Sequence, residues 1–316
     1  MYSIDHLSEF HGLPVVTFPE PGDDAALPDA DTVAWRVHVE SWDGEEDWME
    51  SFDRFLAAVD PGRVRALVIG RWGEFGPESS STVLSLITAA ADRLTTLEAV
   101  FIGDMTPEDE EMCGIEQSDV TVLLSAFPDL VELGVRGGTE LEFPPVTHEK
   151  LRRLTMETGG LPRAVANGIA ASTLPALTHL DLWLGESGCG GDAELSDLAP
   201  LLDGTRFPGL TYLGLRNSEI QNEIAEAVAG APVVAGLHTL DLSNGVLGDE
   251  GAAALLEGQP LTHLRCLDLH HHFLSAEMER RIQAEIAAHG VRVDLSQRNT
   301  PWGGRGSAGR FTSVSE

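Results

Sequence analysis

The chain repeats one spacing of apolar residues, apolar-x-x-apolar-x-apolar, in which the first, fourth and sixth positions are apolar. The eight copies begin 21 to 33 residues apart, at Val64, Leu97, Leu130, Leu151, Leu177, Leu210, Leu237 and Leu264. Side chains alternate between the two faces of a strand, so positions four and six of each copy share one buried face. Repetition at a period of about 20 to 50 residues is typical of a chain that stacks one small unit many times.

Apolar residues at helical spacing occupy the segments between these copies, as Val83, Leu86 and Ile87 illustrate. We predict a helix N-cap at Asp249 and a left-handed stop at Gly290. Strands are also predicted over 33–39 and 291–295. The predicted helices cover 45–59, 82–93, 118–127, 163–171, 195–202, 222–229, 249–256 and 275–289. Strands that alternate with helices predict an α/β fold with a parallel sheet and helices outside it.

The repeated unit resembles the leucine-rich repeat, and the segment 240–256 is similar to the ribonuclease-inhibitor class of such repeats. The resemblance covers about residues 33–297. It implies a horseshoe-shaped solenoid with a concave parallel sheet and convex helices, and a function in protein recognition without chemistry of its own. We therefore divide the chain into an irregular N-terminal arm (1–32), the solenoid with its capping repeats (33–297) and a flexible tail (298–316).

The family usually places an asparagine three residues after the last strand leucine, where its side chain bonds turn backbone groups. Here those positions hold Ser218, Gly245 and His272, whereas Asn217 and Asn244 come one residue earlier. We expect irregular turns, and we expect His272 to hydrogen-bond one of them.

Charge narrows the classes of partner. The chain has 51 acidic and 20 basic residues and a net charge of −31. Nucleic acids and anionic membranes are disfavoured as partners because no basic stripe is present to meet their phosphates.

Residues 1–10 lack the pattern of a signal peptide, and Cys113, Cys189 and Cys266 do not form a disulfide framework. We therefore predict a cytoplasmic location.

The candidate binding residues are those that the strand periodicity turns away from the leucine core. They combine acidic, imidazole, aromatic and guanidinium side chains, and Trp, Tyr and Arg dominate the energy of many interfaces. We predict that a protein partner, with a basic one favoured, binds His179, Asp181, Trp183, Tyr212, Arg216, Asp241, Asp268 and His270. Trp183 and Tyr212 are expected to be exposed.

Two alternatives remain open. Cys266, Asp268 and His270 alternate on one strand beside Asp241, and such groups could hold a metal ion or support an enzyme or a metal-dependent accessory protein. The acidic loop 104–119 is expected to be solvated, or to dock an arginine-rich partner. No phosphate loop, dinucleotide fingerprint or nucleophile motif is present, so we predict no cofactor and no catalysis. The oligomeric state stays open.

Overall fold

Twelve strands form one sheet in the order in which they follow along the chain. The computed structural model describes residues 4–23, 25–39, 46–73, 79–302 and 309–314, so parts of the predicted arm and tail lie outside the described residues. All neighbouring strands pair in parallel except the first two, which form an antiparallel hairpin. The strands are β1 Glu9–Phe10, β2 Leu13–Thr17, β3 Ala34–Val37, β4 Ala66–Ile69, β5 Ala99–Ile102, β6 Glu132–Arg136, β7 Arg153–Glu157, β8 His179–Gly185, β9 Tyr212–Ser218, β10 Thr239–Asp241, β11 Cys266–Asp268 and β12 Arg292–Asp294.

Eight α-helices in the described residues connect successive strands from β3 onward. They are α1 Trp48–Ala58, α2 Ser81–Ala89, α3 Thr121–Ala126, α4 Arg163–Ala171, α5 Leu195–Leu202, α6 Gln221–Ala229, α7 Asp249–Glu257 and α8 Ala276–Glu285. The link between β6 and β7 carries no helix, because the two copies of the repeat are only 21 residues apart there. The predicted α/β architecture with a mostly parallel sheet is confirmed.

The repeat leucines align across the sheet and pack against the helices. Leu213, Leu240 and Leu267 are paired neighbours in β9, β10 and β11, and none of them is exposed to solvent. They belong to one core cluster that runs from Phe18 to Val291 and includes residues of each of the eight α-helices. Burial of aliphatic side chains in this continuous core is the main source of stability.

The face of the sheet that points away from the helices is called the second face below. Its first strands carry small and aromatic residues, among them Ala66, Val68 and Phe101, which pack against Phe10 of the N-terminal hairpin. Later strands carry polar and charged side chains on this face instead. The character of the second face therefore changes from apolar to polar along the sheet.

The repeats of β9, β10 and β11 share a left-handed residue at or just after the carboxyl end of the strand. Asn217, Asn244 and His271 have φ values of 53°, 66° and 54°, each two positions after the last leucine of its copy of the repeated spacing. His272 lies beside this column, where its Nδ1 accepts from Leu274 N at 3.1 Å and its Nε2 lies 3.0 Å from Leu295 O. The expected turn hydrogen bond of His272 is confirmed.

Two local predictions were wrong. Residues 9–17, within the predicted irregular arm, form β1 and β2 because Phe10 and its neighbours find an apolar surface on the second face. Gly248 rather than Asp249 is the N-cap of α7, and the carboxylate of Asp249 accepts from Ser275 N at 2.8 Å. The left-handed stop at Gly290 is confirmed by its φ of 93°. Within the described ranges, no helix has the length and apolar character that crossing a membrane requires.

Candidate functional site

All eight predicted binding residues lie in β8 to β11 or directly after them, on the second face, but their exposure differs from the prediction. Asp181, Trp183 and Asp241 are buried, whereas His179, Tyr212, Arg216, Asp268 and His270 are half-buried. Five of the eight form what is called the polar cluster below: His179, Asp181, Tyr212, Arg216 and Asp241.

Arg216 is the centre of the polar cluster. Its Nη1 donates to Asp181 Oδ2 at 3.2 Å, its Nε donates to Ser243 Oγ at 2.9 Å, and Nε lies 3.4 Å from Asp241 Oδ2. The guanidinium carbon lies 4.9 Å from the centre of the Trp183 ring, a distance typical of a cation–π contact. The positive charge of Arg216 therefore compensates the negative charges of two buried carboxylates, those of Asp181 and Asp241.

Asp181 is the one carboxylate of the polar cluster that has a buried oxygen, Oδ1, without a hydrogen-bond partner among the described residues. Gly214 makes room for it, since a Cβ at position 214 would lie 2.3 Å from that oxygen. Burial, together with the neighbouring charges of Asp241 and Glu157, raises the pKa of Asp181 to about 6 against the attraction of Arg216.

Tyr212 and His179 form the accessible end of the polar cluster. Their rings stack with centres 3.8 Å apart and an interplanar angle of 12°. The Tyr212 hydroxyl donates to Asp241 Oδ2 at 2.9 Å, and burial beside Asp181 and Asp241 raises the pKa of this hydroxyl. Burial and the positive charge of Arg153 lower the pKa of His179 to about 3, so this imidazole is neutral at physiological pH.

Trp183 is covered, in contrast to the prediction that it would be exposed. Only 8% of the residue is accessible, because Met112 and Val314 pack on it and Ile4 joins the same apolar cluster. These three covering residues come from the loop after β5, the C-terminal tail and the N-terminal arm. Strand periodicity identifies the face that carries Trp183, but it contains no information about segments that return to cover it.

The residues 309–314, called the cap segment below, produce much of this cover. They lie within the predicted flexible tail, yet Thr312 and Val314 are buried. Asn217 Nδ2 donates to Val314 O at 2.6 Å, and Val314 N donates to Asn217 Oδ1 at 3.0 Å. Ser313 N also donates to Asn244 O at 2.7 Å. The cap segment therefore lies across the carboxyl ends of β8 to β11.

The Cys266, Asp268 and His270 group does not assemble as a metal site. Asp268 Oδ1 accepts from His270 N at 3.0 Å and lies 2.7 Å from its Nδ1, while the buried Cys266 sulfur accepts from Arg292 Nη2 at 3.2 Å. Burial alone would raise the pKa of Asp268, but the hydrogen bonds from His270 outweigh it and lower that pKa. No group of three or more potential metal ligands comes together in the described part of the chain.

The acidic loop 104–119 is not a uniformly solvated charge run. Asp104 is fully buried, where Arg36 Nε donates to its Oδ2 at 2.7 Å and Leu7 N donates to its Oδ1 at 3.0 Å. Arg136 Nη1 lies 3.5 Å from Asp104 Oδ1, and its Nε donates to Glu157 at 2.8 Å. Asp104 thus ties the N-terminal arm to the second face, and docking of an arginine-rich partner by the rest of the loop stays a prediction.

Cys113 and Cys189 form a disulfide, with Cα atoms 5.6 Å apart across 76 residues of sequence. The expectation that the three cysteines form no disulfide framework was wrong for this pair, because separation along the chain does not measure distance across stacked repeats. A Cβ on Gly159 would lie 2.7 Å from the Cys113 sulfur, so this glycine admits the bridge. Disulfides are rare in a reducing cytosol, so the bridge counts against the cytoplasmic location, which remains a prediction.

Comparison with known proteins identifies a solved structure that is similar to this chain. No protein-family model matches the chain, and no curated protein matches it. A crystal structure of a Bacteroides fragilis protein from the Northeast Structural Genomics Consortium is similar, with a TM-score of 0.78 and 28% sequence identity. The match covers 88% of this chain and 77% of that protein. The fold is therefore shared with a solved protein, and the name of that protein states no activity.

Proposed function

We propose that the chain is a leucine-rich-repeat solenoid that binds a protein partner through its second face and catalyses no reaction. The sequential parallel strands and the aligned repeat leucines support the solenoid. The observation that carries the binding function is the polar cluster, which holds aromatic and charged side chains in one arrangement on a sheet face that no α-helix covers among the described residues.

The side chains of the cluster suit recognition better than chemistry. Arg216 is fixed by two carboxylates, a serine and an indole, so little rotamer entropy would be lost when a partner packs against it. Tyr212 is held by its bond to Asp241 and by the stack on His179. Rigid aromatic and arginine side chains of this kind are frequent at the energetic centres of interfaces.

Part of the accessible second face lies toward the amino ends of β7, β8 and β9. Arg153, Thr155, His179 and Tyr212 retain solvent exposure there. A basic partner is favoured because the net charge of −31 attracts positive proteins and accelerates their approach. We expect the association rate to fall as salt rises, since charges are screened over about 8 to 10 Å at physiological ionic strength.

The test compares the same substitution on opposite surfaces. Thr155→Arg places a long cationic side chain in the middle of the second face, and Thr88→Arg places one on α2. Partners are captured from the native cell and purified, and their dissociation constants are measured with the wild type and both variants. We expect Thr155→Arg to weaken binding by about tenfold or more and Thr88→Arg to leave it nearly unchanged. The reverse pattern would move the interface to the helices and refute the proposal.

A further inference from the structure

The carboxyl ends of β8 to β11 form a groove that already holds a length of extended chain. The groove is lined by Trp183, Asn217, Asn244, His271 and Phe273, and its occupant is the cap segment. The occupant comes from outside the repeats, and Trp302 N donates to Gly309 O at 2.8 Å where the segment begins.

The groove forms hydrogen bonds with main-chain atoms of the segment that occupies it. The side-chain amide of Asn217 makes two hydrogen bonds to Val314, one to its N–H and one to its carbonyl. The N–H of Ser313 bonds to the Asn244 carbonyl. Because these bonds use only main-chain atoms of the segment, they are equally available to any extended peptide that lies in the groove.

Two side chains anchor the segment three residues apart. The Phe311 ring makes edge contacts with His271 and Phe273, at centre distances of 5.6 and 5.3 Å. Val314 packs with Trp183 and Met112. The groove therefore has one site for an aromatic side chain and, three positions later, one site for an aliphatic side chain.

The polar groups around the cap segment are incompletely paired. Five buried side-chain nitrogen or oxygen atoms in this region lack a hydrogen-bond partner among the described residues. Three belong to the groove and two to the segment: Trp183 Nε1, Asn244 Oδ1, His271 Nδ1, Arg310 Nε and Ser313 Oγ. A buried polar group without a partner destabilises the state that buries it. The chain's own segment thus fills the groove but leaves these five polar atoms without hydrogen-bond partners among the described residues.

We propose that this groove binds an extended peptide of a protein partner that carries an aromatic residue followed three positions later by an aliphatic one, in competition with the cap segment. The proposal rests on the proposed binding function and adds the chemical class of the partner segment. The cap segment acts as a tethered competitor, whose effective concentration near the groove is high because it belongs to the same chain.

The probe is a fluorescein-labelled peptide with the sequence of residues 311–316, Phe-Thr-Ser-Val-Ser-Glu, and its scrambled form is the control. Fluorescence anisotropy measures its binding to the full-length wild type and to the full-length variant Phe311→Ala/Val314→Ala. Since the variant loses both anchors of its own segment, we expect it to bind the peptide about tenfold or more tightly than the wild type does. Adding Asn217→Gly to this double variant should remove its binding of the peptide, because the amide that bonds the peptide backbone is lost. Glycine tolerates the positive φ at position 217.

A second measurement needs no variant. Trypsin should cleave after Arg310 slowly while the cap segment is seated, and excess unlabelled peptide should accelerate this cleavage of the wild type, whereas the scrambled peptide should not. Equal peptide affinity of wild type and double variant, absence of binding to both, or cleavage that the peptide does not change would each overturn the inference. None of these results affects the Thr155→Arg comparison, so the groove can fail while the proposed function stands.

Discussion

Replacing Asp181 by asparagine should stabilise the protein at neutral pH, and the gain should shrink as the solution is acidified. Burial and the charges of Asp241 and Glu157 raise the pKa of Asp181 to about 6, although Arg216 opposes them. A carboxyl group with a raised folded-state pKa binds its proton more strongly in the folded state than in the unfolded state. The folded state is therefore favoured as pH falls through about 6 toward the unfolded value near 4, and it is penalised above that range.

The size of this change in unfolding free energy follows from the pKa shift of Asp181. A rise from the ordinary value of 3.8 to about 6 corresponds to a penalty of about 3 kcal/mol when Asp181 is fully charged. Linkage predicts that about 1 kcal/mol of this penalty develops between about pH 5 and about pH 7.5. The amide introduced by Asp181→Asn carries no titrating proton, so the difference in unfolding free energy between variant and wild type should grow by that amount over the interval.

Asp268→Asn is the matched control because the same chemical change should have the opposite sign. Hydrogen bonds from His270 outweigh burial and lower the pKa of Asp268, so its charge stabilises the folded state at all pH values above the unfolded pKa. Asp268→Asn should destabilise the protein at neutral pH, and the loss should shrink as pH falls below the unfolded pKa and through the lowered folded-state pKa. Urea unfolding followed by tryptophan fluorescence gives both free energies. An Asp181→Asn variant whose stability difference from the wild type does not change with pH would refute the reasoning.

Three further substitutions test other parts of the structure. Leu240→Ala truncates a fully buried core side chain and should lower the unfolding free energy by about 2 to 5 kcal/mol in urea. Gly214→Ala should cost about 1 to 3 kcal/mol, because its Cβ would lie 2.3 Å from Asp181 Oδ1, and the double variant with Asp181→Ala should recover part of that loss. Cys113→Ser/Cys189→Ser should lower stability by about 2 to 4 kcal/mol, because the bridge closes a span of 76 residues, and intact mass without reductant should show the wild type oxidised.

The repeated leucine spacing was sufficient to predict the parallel sheet and the side of it that packs on helices. Leu213, Leu240 and Leu267 occupy the predicted buried face in aligned register. This works because side-chain alternation in a strand is a local property, which a single repeat already determines. The hydrogen bond of His272 was predicted on a different ground, because this residue takes the position at which the resembled leucine-rich-repeat family usually places an asparagine that bonds turn backbone groups.

The helix boundaries and the contacts between repeats were not predictable in this way. The Asp249 N-cap was wrong because Gly248 takes that position and the Asp249 carboxylate bonds to the next repeat at Ser275. The Cys113–Cys189 bridge joins loops of different repeats. Both depend on how neighbouring units lie against one another, and the pattern within one unit does not contain that information.

On β8 the second face is partly accessible at the amino end of the strand and covered near its carboxyl end, where the cap segment lies. His179 and Tyr212 are the first residues of their strands and stay partly accessible, whereas Trp183 lies near the carboxyl end of β8, where Val314 covers it. A partner that meets the folded chain therefore encounters the amino-end part of this face directly. The carboxyl-end groove becomes available only when the cap segment leaves, so binding there would depend on the tail while binding at His179 and Tyr212 would not. The two proposals consequently concern separate parts of one sheet face, and substitutions in the tail distinguish them.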